Sequence, residues 1–167
     1  MTARVLIAGV GNLFLGDDGF GPEVARRLAA EPLPPEVTVV DYGIRGVHLA
    51  YDLLDGYDGL ILLDALPRHG TPGDIVILDV GPGDLGAAEF DAHGMEPTAV
   101  LASLEALGGQ LPPTFVVGCE PLDVAEGIGL SPPVAAAVDR AVSAVRRLLD
   151  SELSSRRHKD QQKETSR

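Results

Sequence analysis

Three aspartates stand where three apolar runs end. Asp18 lies just beyond Arg4-Val5-Leu6-Ile7-Ala8, Asp41 closes Val37-Thr38-Val39-Val40, and Asp64 closes Leu60-Ile61-Leu62-Leu63. Short aliphatic and β-branched runs bounded by turn residues read as buried strands. In an open parallel sheet the carboxyl ends of the strands share one edge, and α/β proteins build their sites there. Three carboxylates would then gather on one rim. Crowded carboxylates lose hydration and repel one another, so such a rim calls for a cation, a basic partner or a proton. His93, in Glu89-Phe90-Asp91-Ala92-His93-Gly94-Met95, adds an imidazole from a loop leading into a helix. Two carboxylates and one imidazole leave coordination positions open and suit borderline ions such as Zn or Ni.

Each residue alone has a plainer explanation. Asp17-Asp18-Gly19 could be a loop whose carboxylates interact with a helix dipole. Asp41 and Asp64 could bond turn amides at strand ends, and His93 could be a solvated loop histidine. The combination, rather than any one member, raises a site above these alternatives.

The elements that position these residues follow from periodicity. After the first strand comes Gly9-Val10-Gly11-Asn12, then Gly19-Phe20-Gly21 and a helix from Pro22 to Ala30, where Pro22 suits a first helical position. Phe20, Val24 and Leu28 recur every four residues and would face a sheet. The second strand runs from Val37 to Asp41, a second helix from Val47 to Leu54, and the third strand from Leu60 to Leu63, giving two β-α-β units. The turn Arg68-His69-Gly70-Thr71-Pro72-Gly73 then leads into Ile75-Val76-Ile77-Leu78, an antiparallel, hairpin-like edge beside the third strand. Pro97 to Leu107 has helical spacing, Phe115-Val116-Val117 is a fifth strand, and Pro133 to Leu149 a last helix with Val134, Val138, Val142, Val145 and Leu149 on one stripe. Ser131 would cap that helix. The expected fold is α/β, a mostly parallel five-stranded sheet with helices on both faces and one antiparallel edge strand. One domain covers residues 1–153; residues 154–167 contain no apolar side chain and read as a disordered polar tail.

Gly9-Val10-Gly11 invites a dinucleotide reading, but the third glycine of G-x-G-x-x-G would fall on Phe14, and Asp41 lies farther on than the ribose-binding acid of that fingerprint. His48, His69 and His158 fall in a helix, a turn and the tail, where solvated or structural roles suffice. Cys119 follows a buried strand, has no basic neighbour to lower its pKa, and reads as an inert small hydrophobe.

Composition narrows the partners. The formal net charge is −12, and residues 154–167 carry five Lys/Arg against two Asp/Glu, which leaves residues 1–153 at −15. So acidic a body repels phosphate backbones, which argues against nucleic acid, and it favours a cationic partner such as a metal ion or basic peptide. No apolar run approaches the ~20 residues needed to span a membrane. Met1-Thr2-Ala3-Arg4 runs directly into a strand, so the reading is of a soluble cytoplasmic protein. With aromatic residues at 4% and no Trp, the core should be aliphatic.

Gly9-Val10-Gly11-Asn12 followed by Gly16-Asp17-Asp18-Gly19-Phe20-Gly21 resembles the N-terminal signature of the hydrogenase maturation endopeptidases, which process the large subunit of [NiFe] hydrogenases. Asp41-Tyr42-Gly43-Ile44-Arg45-Gly46, Leu62-Leu63-Asp64-Ala65 and Gly127-Ile128-Gly129-Leu130-Ser131-Pro132 resemble later family segments in the same order, so the likeness covers residues 4–149. The resemblance implies an aspartyl-type peptidase activity that removes a C-terminal peptide from a large-subunit precursor after nickel insertion. It implies metal ligation by Asp18, Asp64 and His93, with nickel brought by the substrate and no permanent cofactor. Asp41 and Arg45 would orient the substrate tail. Two competing readings stay open: a precursor-binding, nickel-checking chaperone that does not cut, and a stand-alone Zn metallohydrolase.

Overall fold

Among the described residues five strands form one sheet in the order β2-β1-β3-β5-β4. They are β1 (Val5–Val10), β2 (Val37–Gly43), β3 (Gly59–Ala65), β4 (Ile75–Val80) and β5 (Thr114–Cys119), with helices α1 (Phe20–Ala29), α2 (Gly46–Leu53) and α3 (Pro132–Thr165). This computed structural model describes residues 3–80 and 103–165, with side chains through Ser151. Strand β1 pairs in parallel with both β2 and β3, and β3 in parallel with β5. Strand β4 is antiparallel, and its partner is β5. The α/β architecture with one antiparallel edge is as expected, but β4 is not a hairpin with β3. The β5 strand fills the place beside β3, and the turn after β3 carries the chain past that place to the edge.

The sheet is apolar on both faces, so β1 and β3 are buried at every position, the pattern of parallel strands covered on both sides. On one face Val5, Ile7, Ile61, Leu63 and Val117 meet Phe20, Val24 and Leu28 of α1 and Val134, Val138, Val142, Val145 and Leu149 of α3, the stripes that the four-residue spacing marks out. Burying each of these side chains contributes roughly 1.5–3 kcal/mol. On the other face Leu6, Ala8, Leu60, Leu62 and Val116 meet Leu49, Ala50 and Leu53 of α2 together with Leu104. Residues 103–106 are helical; the earlier part of the helix read over Pro97–Leu107 lies outside the described residues, as does His93.

Two boundaries move in ways that matter. Strand β3 continues through Asp64 to Ala65 because Asp64 pairs with Gly118 and Ala65 with Cys119 of β5, so Asp64 is held by the ladder instead of standing after it. Helix α3 continues past Leu149 to Thr165, through a stretch rich in Arg, Lys, Gln and Glu with no Gly or Pro to stop it. Among the described residues no helix is long and apolar enough to cross a membrane.

Candidate active site

The register fixes where the acids lie. Gly9 of β1 is opposite Asp41 on one side and Leu63 on the other, which puts the backbones of Asp41 and Asp64 on either side of β1, at the carboxyl edge of the sheet. Strands are spaced by about 4.8 Å, so these two backbones are roughly 10 Å apart. Between them the chain leaves β1 through Gly11 and makes a single 3-10 turn, Gly16–Gly19, before α1 begins at Phe20. That turn carries Asp17 and Asp18.

Two glycines allow the turn to sit so close to the strand ends. A Cβ on Gly21 would lie 2.1 Å from the Leu63 carbonyl oxygen and 2.4 Å from that of Val10, so the first turn of α1 rests directly on the exits of β3 and β1. Gly11 has φ +139°, and a Cβ there would be 1.9 Å from the Asp18 carbonyl oxygen. Any other residue at either place would push the Asp18 turn away from Asp64.

Asp18 and Asp64 are both buried, at 4% and 7% exposure. Asp18 accepts a 2.7 Å hydrogen bond from the backbone N–H of Asn12. Burial pushes the Asp64 carboxyl well above its ordinary range, the negative charge of Asp18 pushes it the same way, and the Ala65 backbone N–H opposes them. The structure therefore brings two of the three implied ligands into electrostatic contact. Among the described residues no cluster of three or more acidic, imidazole or thiol groups forms a metal site. The third implied ligand, His93, is outside them.

Asp41 stands apart from this pair, exposed, with Oδ1 accepting from the Gly43 N–H at 2.9 Å, which is the plain turn role anticipated for it. The Arg45 guanidinium folds back on the same turn, donating to the carbonyls of Asp41 at 2.8 Å and Tyr42 at 3.1 Å. Both residues nevertheless line a groove of about 250 Å³ beside β1, together with Asn12, Leu13, Phe14 and Ile44. Leu13, Phe14 and Ile44 are large apolar side chains left exposed, as is Ile128 on the facing loop.

Asp17 is the residue that sequence reasoning missed, having been grouped with Asp18 as one of two helix-start acids. It is completely buried, and its carboxylate accepts from the backbone N–H groups of Leu122, Asp123 and Ser131 and from the Ser131 hydroxyl. Burial alone would raise its pKa, but the Asp123 and Ser131 donors, with Leu122, hold it below the usual value. Ser131 therefore spends its hydroxyl on Asp17 rather than acting as a simple cap, while its carbonyl accepts the Ala135 N–H that opens α3. The available signal was the Asp-Asp pair itself, since neighbouring side chains on a tight turn point in different directions. Glu120 was also missed. It is buried after β5, accepts from the Arg68 N–H at 2.7 Å and so pins the turn that follows β3. His69 in that turn has φ 60° and is exposed. Cys119 fits its inert reading: burial pushes its thiol up to about 12.

Comparison with known proteins agrees with the fold and with the family resemblance of the sequence. The HycI family model, described as hydrogenase maturation protease, matches residues 22–148. A putative hydrogenase maturation protease of Methanocaldococcus jannaschii is 35% identical over 84% of this chain and 93% of its own length. The hydrogenase 2 maturation protease of Escherichia coli is 30% identical over 85% of this chain and 88% of its own. Among solved structures, the hydrogenase maturating endopeptidase HybD from E. coli superposes with a TM-score of 0.78 at 29% identity, covering 89% of this chain and 93% of that one. A hydrogenase 2 maturation peptidase from a Thaumarchaeota archaeon gives a TM-score of 0.70 at 35% identity, covering 88% and 98%.

Proposed function

The chain belongs to the hydrogenase maturation protease family, a family of peptidases, and from that premise we propose that it cuts the C-terminal peptide from a [NiFe] hydrogenase large-subunit precursor once nickel has been inserted. The observation that carries this reading is the buried Asp18–Asp64 pair. Two carboxyls in electrostatic contact, one of them pushed strongly toward its neutral form, make an arrangement that a cation stabilises. A protease that supplied its own metal would cut any peptide it could bind. One whose acids accept nickel carried by the substrate cuts only a loaded precursor.

In this reading Asp18 and Asp64, with His93, complete the coordination of the substrate's nickel and hold the scissile bond beside it. A divalent ion there supplies Lewis-acid polarisation of the carbonyl or activation of water. Asp41 and Arg45 line the groove across β1, where the substrate tail would lie against Leu13, Phe14 and Ile44. The protein needs no permanent cofactor, and the reaction belongs in the cytoplasm, where its acidic body meets the precursor.

The test is mass spectrometry of the precursor from the same organism, prepared with and without nickel and incubated with wild type or with the Asp18→Asn, Asp64→Asn double variant. Loss of one C-terminal peptide, only with nickel and only with wild type, supports the proposal. A precursor that binds but keeps its mass supports the nickel-checking chaperone instead. Cleavage of ordinary peptides by metal-loaded enzyme supports the stand-alone Zn hydrolase.

A further inference from the structure

We infer that Asp17 is a positioning residue for this reaction: through the loop 122–131 it latches the turn that sets Asp18 opposite Asp64. The inference rests on the function proposed above and extends it to a residue that touches neither substrate nor metal.

The turn cannot hold itself. It is four residues long, and one of its few local bonds is the 3.1 Å contact from the Asp18 N–H to the Leu15 carbonyl; a single 3-10 turn of that kind fixes several dihedrals for little hydrogen bonding. What fixes it comes from more than a hundred residues later. Asp17 Oδ2 accepts from Leu122 N–H at 2.8 Å, Asp123 N–H at 3.0 Å and the Ser131 hydroxyl at 2.8 Å, while Oδ1 accepts from Ser131 N–H at 2.7 Å. The backbones answer in kind: Asp17 N–H donates to Asp123 O, Gly16 N–H to Gly127 O, and Gly127 N–H to Phe14 O. The next residue along the chain is Asp18, whose Oδ2 accepts from Asn12 N–H. The latch thus sets the depth at which Asp18 meets Asp64.

Four donors converge on one carboxylate, so its amide cannot replace it. In Asp17→Asn the volume is unchanged, but whichever way the amide turns, an NH₂ group faces a donor: Ser131 N–H in one orientation, or Leu122, Asp123 and the Ser131 hydroxyl in the other. Ser131→Ala is milder, removing one donor and leaving three backbone N–H groups in place.

The test is steady-state cleavage of nickel-loaded precursor by wild type, Asp17→Asn and Ser131→Ala, well below their unfolding temperatures, with rates expressed per folded molecule. Misplacing a catalytic group by about an ångström costs about 10²-fold, so the latch predicts a kcat for Asp17→Asn lowered by about 10- to 100-fold, with KM changed far less, and Ser131→Ala between it and wild type. A folded Asp17→Asn with wild-type kcat, or a loss confined to KM, overturns the inference. If Asp17→Asn does not fold, Ser131→Ala decides: a severalfold lower kcat at unchanged KM supports the latch, and a wild-type kcat overturns it. No cleavage by wild type defeats the proposed reaction itself, and the positioning role falls with it; that result is distinguishable because it does not depend on either variant.

Discussion

Asp17 and Asp64 are both buried at the carboxyl edge of the sheet, and the surroundings treat them in opposite ways. Asp17 is surrounded by donors, which outweigh the cost of its burial and keep it charged. Among the described residues Asp64 has burial and the charge of Asp18 against it, with one backbone N–H in its favour. The first is a completed internal structure in which a charge is fully solvated by the protein. The second has no comparable set of donors among the described residues, and in the proposed function the substrate's cation supplies the missing positive charge. The same residue type serves as a fixed anchor in one place and, in the proposed function, as a receptor for the substrate's cation in the other, and the number of donors aimed at it makes the difference.

That contrast can be broken most severely by removing the acceptor. Asp64→Asn should lower cleavage of nickel-loaded precursor by about 10²-fold or more, the range found when a group active in the transition state is lost, as read by the rate of peptide release. The same variant, being nearly isosteric, should fold normally. Next in size is Gly11→Ala, which strikes the framework shared by both acids. Its φ of +139° and the 1.9 Å approach to the Asp18 carbonyl leave no room for a methyl group, so a loss of about 1–3 kcal/mol is expected in denaturant unfolding.

A third change separates charge from chemistry. The folded pKa of Asp64 is raised, so between the unfolded carboxylate value near 4 and that raised value the native state binds more protons than the unfolded chain. Stability then falls as pH climbs through this window and stays low above it. Asp64→Asn should therefore raise Tm at neutral pH, and the gain should vanish as pH drops below the ordinary carboxylate range. Asp17 has the reverse sign: its lowered folded pKa contributes stability above the unfolded value, and that contribution is lost as pH falls through the folded one. The smallest effect belongs to Asp41→Asn. Its Oδ1 bond to Gly43 N–H survives as an amide acceptor, so stability should be unchanged within about 0.5 kcal/mol, while KM for the precursor rises if the groove holds the tail.

The sheet was legible because its strands are apolar runs punctuated by Gly and Pro, and the helices because Phe20, Val24, Leu28 and the Val134–Leu149 stripe repeat at helical spacing. The closeness of Asp18 to Asp64 was legible from topology alone, since consecutive β-α-β units bring strand ends to one edge. The place of β4 was not, because strand order depends on which neighbour β5 displaces, and nothing local in Ile75–Leu78 records that. Nor was the role of Asp17, whose partners lie in residues 122–131. A carboxylate next to a helix start looks the same in sequence whether its donors are local amides or a loop from the far end of the chain. The groove residues Asp41 and Arg45 lie at the carboxyl edge of the sheet, and the bonds they make are to their own turn.

The central claim, that burial and the charge of Asp18 hold the Asp64 carboxyl above its ordinary range, is tested most directly by ¹³C carboxyl NMR titration of the wild type and of Asp18→Asn. The account predicts that Asp64 titrates above the ordinary carboxylate range in the wild type and moves down when the neighbouring charge is removed, while Asp17 stays below that range in both. An Asp64 resonance titrating within or below the ordinary range, indifferent to Asp18, would contradict it.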